Sequence, residues 1–526
     1  MWPRLSLWLF AIGFAPASVR SQDVVATFEG QINYVWDDDN VEAEYLASGQ
    51  YNPASNVITG IKVNQGVAAN PEAAEVFLAV PRWFGGVPST LNRVILDLTA
   101  SGPVQNPLLE PFPSWAMQEV GNCDALQYVQ SFEIDNDGNM WVIDTGSVDI
   151  FTGNRTNTCP PKLLIINTAT GELLDEPYIF PEEVAPNATV FLNDIAVSDT
   201  AGGLAYITDM TGNVGGNVGA LITYQRSTRT SARFYNPSMV AEPGLSWTFM
   251  GRDLGIDTFA QPIEAVALTP DGSRVLYSAL QGVNTYSIDA LSLFQNGSDW
   301  ASTIINHGAR QGSTDGFTVD CAGRLFYSDL NSASVFRWDL DSDFPPDESG
   351  IRVAQDNDTM WWTDTYAWDD AGYLWTTANY LPALFVDGAF LQANIVRIPT
   401  GTGSYQSSSC AAPTYEFDLS PATTYPNLPE QCRGQPPNML GEFRFFGFRL
   451  MGTPAADMTN LADWEEGMET NEIGGIEWVP WQDGPYYLLA INSPAGLVRR
   501  VCTFDPWDNR TSTCTGIDYR DEAVTE

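Results

Sequence analysis

A pair of strands joined by a turn rich in Asp and Gly recurs along this chain, and the recurrence limits the fold more than any other feature. Each copy has an apolar strand, a turn, and a second strand that begins with aromatic or aliphatic residues. Turns such as Asn136-Asp-Gly138 and Asp271-Gly272 tolerate the positive φ that tight hairpins require. Five copies stand out, at 131–144, 194–209, 264–277, 315–329 and 365–375.

The spacing of these hairpins predicts an all-β array. Aromatic residues recur in the second strands about 50 to 70 residues apart, close to the repeat of four-stranded propeller blades with loop insertions. They are Trp141, Tyr206, Tyr277, Phe326 and Trp375. Because no long segment with helical periodicity separates the hairpins, a parallel α/β fold is disfavoured. An earlier unit at 60–83 completes a β-propeller of six blades.

The chain is predicted to have three parts. Residues 1–21 have the build of a signal peptide, with an apolar run followed by small residues such as Ala15 and Ala17. Residues 22–400 form the propeller. Residues 401–526 are predicted to be an irregular, disulfide-containing extension with a blade-like unit at about 473–504, which leaves a seventh blade-like unit open.

Charge and processing signals predict an exported protein that binds neither nucleic acid nor membranes. The formal net charge of −41 repels phosphate backbones and anionic lipids. No later stretch of about 18 apolar residues follows the predicted signal peptide. Sequons for N-glycosylation agree with secretion and lie at Asn154, Asn187, Asn296, Asn357 and Asn509.

An ordered set of sequence words resembles the Yellow / major royal jelly protein family. The words include Val80-Pro-Arg-Trp83, Met140-Trp-Val-Ile-Asp-Thr-Gly146, Leu192-Asn-Asp-Ile195, Trp362-Thr-Asp-Thr-Tyr366 and Tyr373-Leu-Trp-Thr-Thr-Ala-Asn379. The resemblance covers roughly residues 30 to 400. It implies a six-bladed propeller, secretion and no required prosthetic group. Family functions range from pigmentation and melanin formation, with dopachrome conversion, to binding of biogenic amines and nutritive or structural roles, and fold kinship does not choose among them.

The seven cysteines fit an oxidising compartment. The resemblance implies a disulfide between Cys123 and Cys159. Proximity in sequence suggests Cys410 with Cys432 and Cys502 with Cys514, which leaves Cys321 free.

Polar residues at the start of each inner strand are the candidate functional groups. In a propeller these strands line the central channel. The equivalent positions are Ser131, Asp194, Glu264, Asp315, Thr365 and Glu477. Converging carboxylates raise one another's pKa, attract cations, and act as acid or base, so Asp194, Glu264 and Asp315 are the catalytic candidates. The alternative is that these side chains cap strand ends.

Four further residues are candidates for ligand binding. Thr365 and Asn379 match positions that contact the ligand in amine-binding relatives, as the resemblance implies. Asn193 offers a similar short polar group, and Tyr366 offers an aromatic ring that can stack on a ligand. The alternative for the aromatic residue is packing between blades.

These residues leave several functions open. One is an isomerase that acts on an oxidised catechol such as dopachrome, and another is a protein that binds an aromatic amine or other small ligand without catalysis. A third is a calcium-dependent, lactonase-like hydrolase that uses Glu264, Asn193, Asn379 and Asp315, and a fourth is a structural or nutritive role. His307 is the lone histidine, which excludes catalytic triads and multi-histidine metal sites. No cofactor or metal is expected outside the calcium alternative, and the sequence does not indicate an oligomeric state.

Overall fold

The computed structural model describes residues 22–64, 72–211, 218–245, 248–249, 252–253, 261–295, 297–381 and 392–406, and three further strands at 475–480, 486–493 and 496–503. The chain divides into two compact units, Met1–Asp418 and Leu419–Glu526.

Strands make up most of the regular structure among the described residues. In chain order they are β1 (Asp23–Glu29), β2 (Ile61–Val63), β3 (Ala73–Ala79), β4 (Leu91–Asp97), β5 (Val104–Gln105), β6 (Glu110–Pro111), β7 (Val129–Ile134), β8 (Asn139–Asp144), β9 (Ser147–Val148), β10 (Thr156–Asn157), β11 (Lys162–Asn167), β12 (Tyr178–Ile179), β13 (Leu192–Ser198), β14 (Leu204–Asp209), β15 (Ala220–Gln225), β16 (Thr230–Phe234), β17 (Thr248–Phe249), β18 (Arg252–Asp253), β19 (Ile263–Leu268), β20 (Arg274–Ala279), β21 (Asn284–Asp289), β22 (Ile305–Ala309), β23 (Phe317–Val319), β24 (Arg324–Asp329), β25 (Ser334–Asp339), β26 (Ile351–Gln355), β27 (Trp362–Trp368), β28 (Tyr373–Asn379), β29 (Gln392–Pro399), β30 (Gly475–Pro480), β31 (Tyr486–Ser493) and β32 (Gly496–Thr503).

Helices are few among the described residues. Helix α1 (Asp39–Ser48) begins after Asp38, whose side chain accepts hydrogen bonds from two backbone N–H groups of the first turn, and it ends at Gly49 with φ of 77°. Helix α2 is a single turn, Pro346–Ser349. Short 3-10 helices lie at Pro53–Ser55, Trp115–Gln118, Thr200–Gly202, Pro237–Met239, Leu291–Phe294 and Trp300–Thr303. Within the described ranges, no helix has the length and apolar character needed to span a bilayer.

Most described strands of the first unit form six propeller blades, as the sequence predicts, whereas β9-β10 and β17-β18 form two separate pairs and β5 adds to the edge of blade 6. From the inner strand outward the blades are blade 1 (β2-β3-β4-β6), blade 2 (β7-β8-β11-β12), blade 3 (β13-β14-β15-β16), blade 4 (β19-β20-β21-β22), blade 5 (β23-β24-β25-β26) and blade 6 (β27-β28-β29-β1). Neighbouring inner strands contact one another around the ring, and β27 contacts β2. The ring is closed by β1, which pairs antiparallel with β29 and so joins the two ends of the propeller sequence.

The turns between first and second strands are held by an acidic side chain at the end of the inner strand. Asp135 accepts hydrogen bonds from the backbone N–H groups of Asp137 and Asn139 at 3.0 and 2.9 Å. Asp320 and Asp369 do the same in blades 5 and 6. Such side chains stabilise a turn locally. This bonding is the physical basis of the repeated Asp-Gly turns in the sequence.

The repeated aromatic residues of the second strands are core residues. Trp141, Tyr206, Tyr277, Phe326 and Trp375 are all at most 1% exposed. The indole N–H of Trp141 donates to Asp135 at 2.9 Å, and that of Trp375 donates to Asp369 at 2.8 Å. These rings therefore pack within the propeller and brace its turns.

Strands β30, β31 and β32 form an antiparallel three-stranded sheet in the second unit. The sheet coincides with the blade-like unit predicted at about 473–504. Its role as a seventh blade stays a prediction.

Gly316 is expected to be intolerant of any side chain, because blades 5 and 6 approach closely there. A Cβ atom added at Gly316 lies 2.4 Å from the backbone oxygen of Asp364, a contact that only a backbone shift relieves. We expect Gly316→Ala to lower the free energy of unfolding by about 1–3 kcal/mol. Chemical denaturation of the variant and the wild type measures this change in the free energy of unfolding. Gly102→Ala is the control, since a Cβ there has nothing within 4 Å, and equal stabilities of the two variants would contradict the prediction.

Candidate functional site

Four inner strands are irregular at the same level, near the end at which each strand begins. Pairing with the second strand is interrupted between Val129 and Phe132, Leu192 and Ile195, Ile263 and Ala265, and Thr363 and Tyr366. Irregularities of this kind break the alternation of side chains and commonly re-aim them at functional sites.

In blade 3, two consecutive side chains reach the inner strands of the two neighbouring blades. Asn193 Nδ2 donates to Glu264 Oε1 of blade 4 at 3.2 Å. The next residue, Asp194, accepts a hydrogen bond from Ser131 Oγ of blade 2 at 2.9 Å. Consecutive side chains of a strand point to opposite faces, so β13 links blade 2 and blade 4 at this level.

Hydroxyl groups of neighbouring blades satisfy the backbone at this level. Thr208 Oγ1 of blade 3 donates to the backbone oxygen of Glu264 at 2.8 Å. Thr377 Oγ1 of blade 6 donates to that of Thr59 at 2.7 Å, and Thr59 Oγ1 donates to that of Gln130 at 2.8 Å. Carbonyl groups left without a partner in their own sheet thus find a donor in an adjacent blade.

Four buried carboxyl groups, Asp194, Glu264, Asp315 and Asp364, form what we call the carboxyl ring, one from each of blades 3 to 6. The three catalytic candidates from the sequence are thus brought together. Glu264 and Asp315 lie close enough that each carboxyl group acts on the pKa of the other. The indole Nε1 of Trp362 donates to Asp315 Oδ2.

Burial raises the pKa of every member of the carboxyl ring. Desolvation raises the pKa of Asp194 to about 7, and Lys62 partly opposes this rise. The pKa of Glu264 lies well above its usual range because of burial first and then the charge of Asp315. Burial and the charges of Asp315 and Asp194 do the same to Asp364. The pKa of Asp315 is also raised by burial, although hydrogen bonds from Glu264 and Trp362 oppose the rise. The ring therefore holds protons near neutral pH.

Asp364 is the site residue that the sequence reasoning missed. The alignment of the repeats assigns the channel position of blade 6 to Thr365, so Asp364 is not among the candidates. Strand pairing is interrupted between Thr363 and Tyr366, on either side of it. The word Trp362-Thr-Asp-Thr-Tyr366 contained the residue, but no sequence pattern marks the irregularity.

The predicted ligand-binding residues of blade 6 contact blade 1. Thr365 Oγ1 donates to the backbone oxygen of Thr59 at 3.1 Å and accepts from the N–H of Ile61 at 3.0 Å. Asn379 Nδ2 donates to the backbone oxygen of Ile58. Tyr366 is 2% exposed and packs against Phe326 and Trp368 in the core between blades. The hydrogen bonds of Thr365 and Asn379 join blade 6 to blade 1 and so help to close the circle of blades. Ligand binding by the three residues stays a prediction.

An aromatic collar lies at the end of the propeller channel where the inner strands begin. Its members are Trp83, Tyr128, Phe151, Phe191, Trp361 and Tyr380. Ring centroids lie 5.3 Å apart for Trp83 and Phe151, and 5.9 Å apart for Phe151 and Phe191. Burial raises the pKa of Tyr128, and the charge of Asp364 adds to that rise. The collar therefore adjoins the carboxyl ring.

A narrow chamber of about 10 Å³, room for roughly one water molecule, lies further along the inner strands. Asp194, Thr365, Tyr366 and Tyr405 contribute to its wall, and Lys62 is the one cation among the described residues that line it.

Two side chains fix the charge and the floor of the chamber. Lys62 Nζ lies 2.9 Å from Glu133 Oε2 and donates to the backbone oxygen of Tyr366 at 2.8 Å. Tyr405 follows the last strand of blade 6. Its hydroxyl donates to the backbone oxygen of Val197 in blade 3 at 2.7 Å, and its N–H donates to that of Val319 in blade 5 at 3.2 Å. Tyr405 therefore spans two non-adjacent blades.

The remaining predicted sites are placed only in part. Cys123 and Cys159 form a disulfide, which confirms that pairing, and Cys321 forms none among the described residues. Asn154 and Asn357 are exposed, and Asn187 is half-buried. Outside the described side chains lie Cys410, Cys432, Cys502, Cys514, Asn296, Asn509 and Glu477. Within the described ranges, no three His, Cys, Asp or Glu side chains are grouped as ligands of a metal ion.

Comparison with known proteins identifies relatives of this chain. The family model described as "Major royal jelly protein" matches residues 128–402, just over half of the chain. Protein yellow of Drosophila subobscura is 28% identical over 286 residues, which cover 52% of this chain and 46% of that protein. Major royal jelly protein 8 of Apis mellifera is 29% identical over 262 residues, 48% of this chain and 56% of that protein. The chain thus matches about half the length of these curated relatives.

Among solved structures, a luciferin-regenerating enzyme is similar with a TM-score of 0.41 and 11% identity, over 68% of this chain and 94% of that one.

The carboxyl ring is expected to make the protein less stable as pH rises. A carboxyl group whose pKa is higher in the folded state holds its proton more tightly there, so stability is lost as pH rises from about 4 towards 7, by at most about 1.4 kcal/mol per pH unit and group. Asp194→Asn removes one such group, whose pKa is about 7 when folded. We expect the variant to lose less stability than the wild type between pH 5 and 8, measured by urea denaturation.

Asp124→Asn, at an exposed position, is the matched control for this experiment. A slope with pH that is the same in all three proteins would refute the assignment.

Proposed function

Because the chain belongs to the major royal jelly protein family, we propose that it is a secreted protein that holds a small aromatic cation, a catechol- or amine-derived ligand, in its propeller channel. The observation that carries the proposal is the carboxyl ring, to which four blades each contribute one buried carboxyl group. Secretion and glycosylation rest on the predicted signal peptide and on the exposed sequons at Asn154 and Asn357.

Electrostatics favour a cationic ligand over an anion. Four carboxyl groups face one ammonium group, Lys62, which already forms an ion pair with Glu133. An ammonium group that enters the ring supplies the hydrogen-bond donors and positive charge that buried carboxylates lack. An anion there would add to the existing repulsion.

The collar favours an aromatic body on that ligand. Phe151 and Tyr380 are only half-buried, whereas the other collar residues are buried. Aromatic faces next to carboxylates suit a ligand with a ring at one end and an ammonium group at the other, because rings stack and also attract cations.

The Glu264–Asp315 pair supports a second candidate function, isomerisation of a dopachrome-type compound. In such a step Asp315 takes a proton from the carbon beside the quinonoid ring, and Glu264 gives its proton to the ring oxygen. In this step one C–H bond breaks and one O–H bond forms, which gives a quinone methide tautomer. Transfer of a second C–H proton to the other ring oxygen then makes the ring aromatic, without an external oxidant. One protonated and one ionised carboxyl group side by side are the arrangement that general acid–base catalysis needs.

Aromatic amines are expected to bind the channel through the carboxyl ring. Tyramine is a suitable probe, and 4-ethylphenol is its analogue without the ammonium group. We expect Asp194→Asn to weaken tyramine binding by about 10- to 100-fold, equivalent to about 1.5–3 kcal/mol for a hydrogen bond to a charged group. Isothermal titration calorimetry measures the dissociation constant of tyramine for each protein.

The exposed Asp124→Asn variant serves as the control and should bind tyramine like the wild type. If 4-ethylphenol binds as tightly as tyramine, or if the Asp194 variant binds normally, the carboxyl ring is not the ammonium site.

If the chain is an isomerase, both members of the carboxyl pair should be needed for turnover. We expect Glu264→Gln and Asp315→Asn each to lower kcat for dopachrome loss above the spontaneous rate by about 100-fold or more, since proton transfer is worth about 10²- to 10⁴-fold. Absorbance decay with product analysis measures the rate of dopachrome loss. The control is the Glu44→Gln variant, which changes an exposed residue. Tyramine binding by the wild type without any dopachrome turnover would leave the binding function and eliminate the enzyme.

A further inference from the structure

The carboxyl ring cannot be fully ionised in the free protein. Asn193 donates to Glu264 Oε1, whereas Glu264 Oε2 has no donor among the described residues. Trp362 occupies Asp315 Oδ2. Two buried carboxyl groups on neighbouring inner strands repel each other when both are charged, so a proton held by one of them relieves the repulsion.

We propose that the carboxyl ring takes up its organic cation in exchange for a proton, so that ligand binding and proton release are one coupled event. This inference rests on the proposed function and adds its regulation, because affinity then rises with pH. In the balanced step, the ligand ammonium R–NH3+ meets a COOH/COO− pair and gives R–NH3+ bound to two carboxylates plus one H+ in solution. No covalent bond of the ligand changes, and no co-reactant is needed.

The ligand can replace the proton because both supply a positive charge and a hydrogen-bond donor to the carboxyl groups. A proton between Glu264 and Asp315 supplies one positive charge and one hydrogen-bond donor. An ammonium group supplies the same charge with three donors. Once the ammonium is bound, the cost of ionising the second carboxyl group is removed.

The other charged groups at this level do not substitute for the exchanged proton. From β2, Lys62 is held by Glu133 of β7 and by the backbone oxygen of Tyr366. Its charge acts mainly on Asp194 of β13, whose pKa it lowers. Asp364 of β27 contributes to the raised pKa of Glu264.

The alternative is a set of carboxylates that are already ionised before the ligand arrives. A cation that binds such a set releases no proton, and its affinity does not change with pH while the ligand stays protonated. Proton count and pH dependence therefore separate the two cases.

The test titrates the full-length protein with tyramine at pH 6.5 in buffers of different ionisation enthalpy, which gives the number of protons released per ligand. We expect the wild type to release close to one proton and its dissociation constant to tighten by up to about tenfold per pH unit between pH 5.5 and 7.5. Glu264→Gln lacks the exchangeable proton at that position, so release should fall by at least half. Glu44→Gln, on the exposed helix α1, should match the wild type.

Each outcome decides a different statement. Tyramine binding with no proton release and with constant affinity from pH 5.5 to 7.5 overturns the exchange and leaves the proposed function standing. Absence of tyramine binding at every pH overturns the proposed function and the exchange together. If Glu264→Gln does not fold, Asp315→Asn replaces it, and the wild-type proton count alone still decides the question.

Discussion

Hydrogen bonds that pass from one blade to the next hold the inner ring together, and the carboxyl ring depends on them. Leaving a buried carbonyl group without a donor costs about 1–3 kcal/mol. Thr208 and Thr377 supply donors to the carbonyls of Glu264 and Thr59 across blade boundaries. The inner strands can therefore depart from regular pairing where the functional side chains lie, because a neighbouring blade replaces the bonds that the sheet has lost.

The same bonds explain why ring closure and ligand chemistry share residues. Thr365 and Asn379 join blade 6 to blade 1 through the backbone near Thr59, and Thr365 also lines the chamber. Replacing either residue alters closure as well as the channel surface. Asp194 and Asp124 therefore make a cleaner comparison, since the first lies in the ring and the second on the surface.

Much of the fold could be predicted from the sequence, because hairpin turns and buried aromatic residues leave local patterns. The six blades and the Cys123–Cys159 disulfide are confirmed by the structure. Contacts between distant segments leave no such pattern. The pairing of β1 with β29, the position of Tyr405 and the burial of Asp364 near Asp315 and Asp194 all depend on tertiary geometry.

Buried charges elsewhere in this propeller show what a structural role looks like. Arg82 is 3% exposed, and its guanidinium donates five hydrogen bonds, all to backbone oxygens. Lys162 is bound by two backbone oxygens and lies near Asp144. By contrast, within the described part of the chain, Asn193 Oδ1 is a buried acceptor without a donor, and Glu264 Oε2 forms no hydrogen bond. Since burying an unsatisfied acceptor costs free energy, this difference favours a donor that arrives from outside the chain, which a bound ammonium group provides.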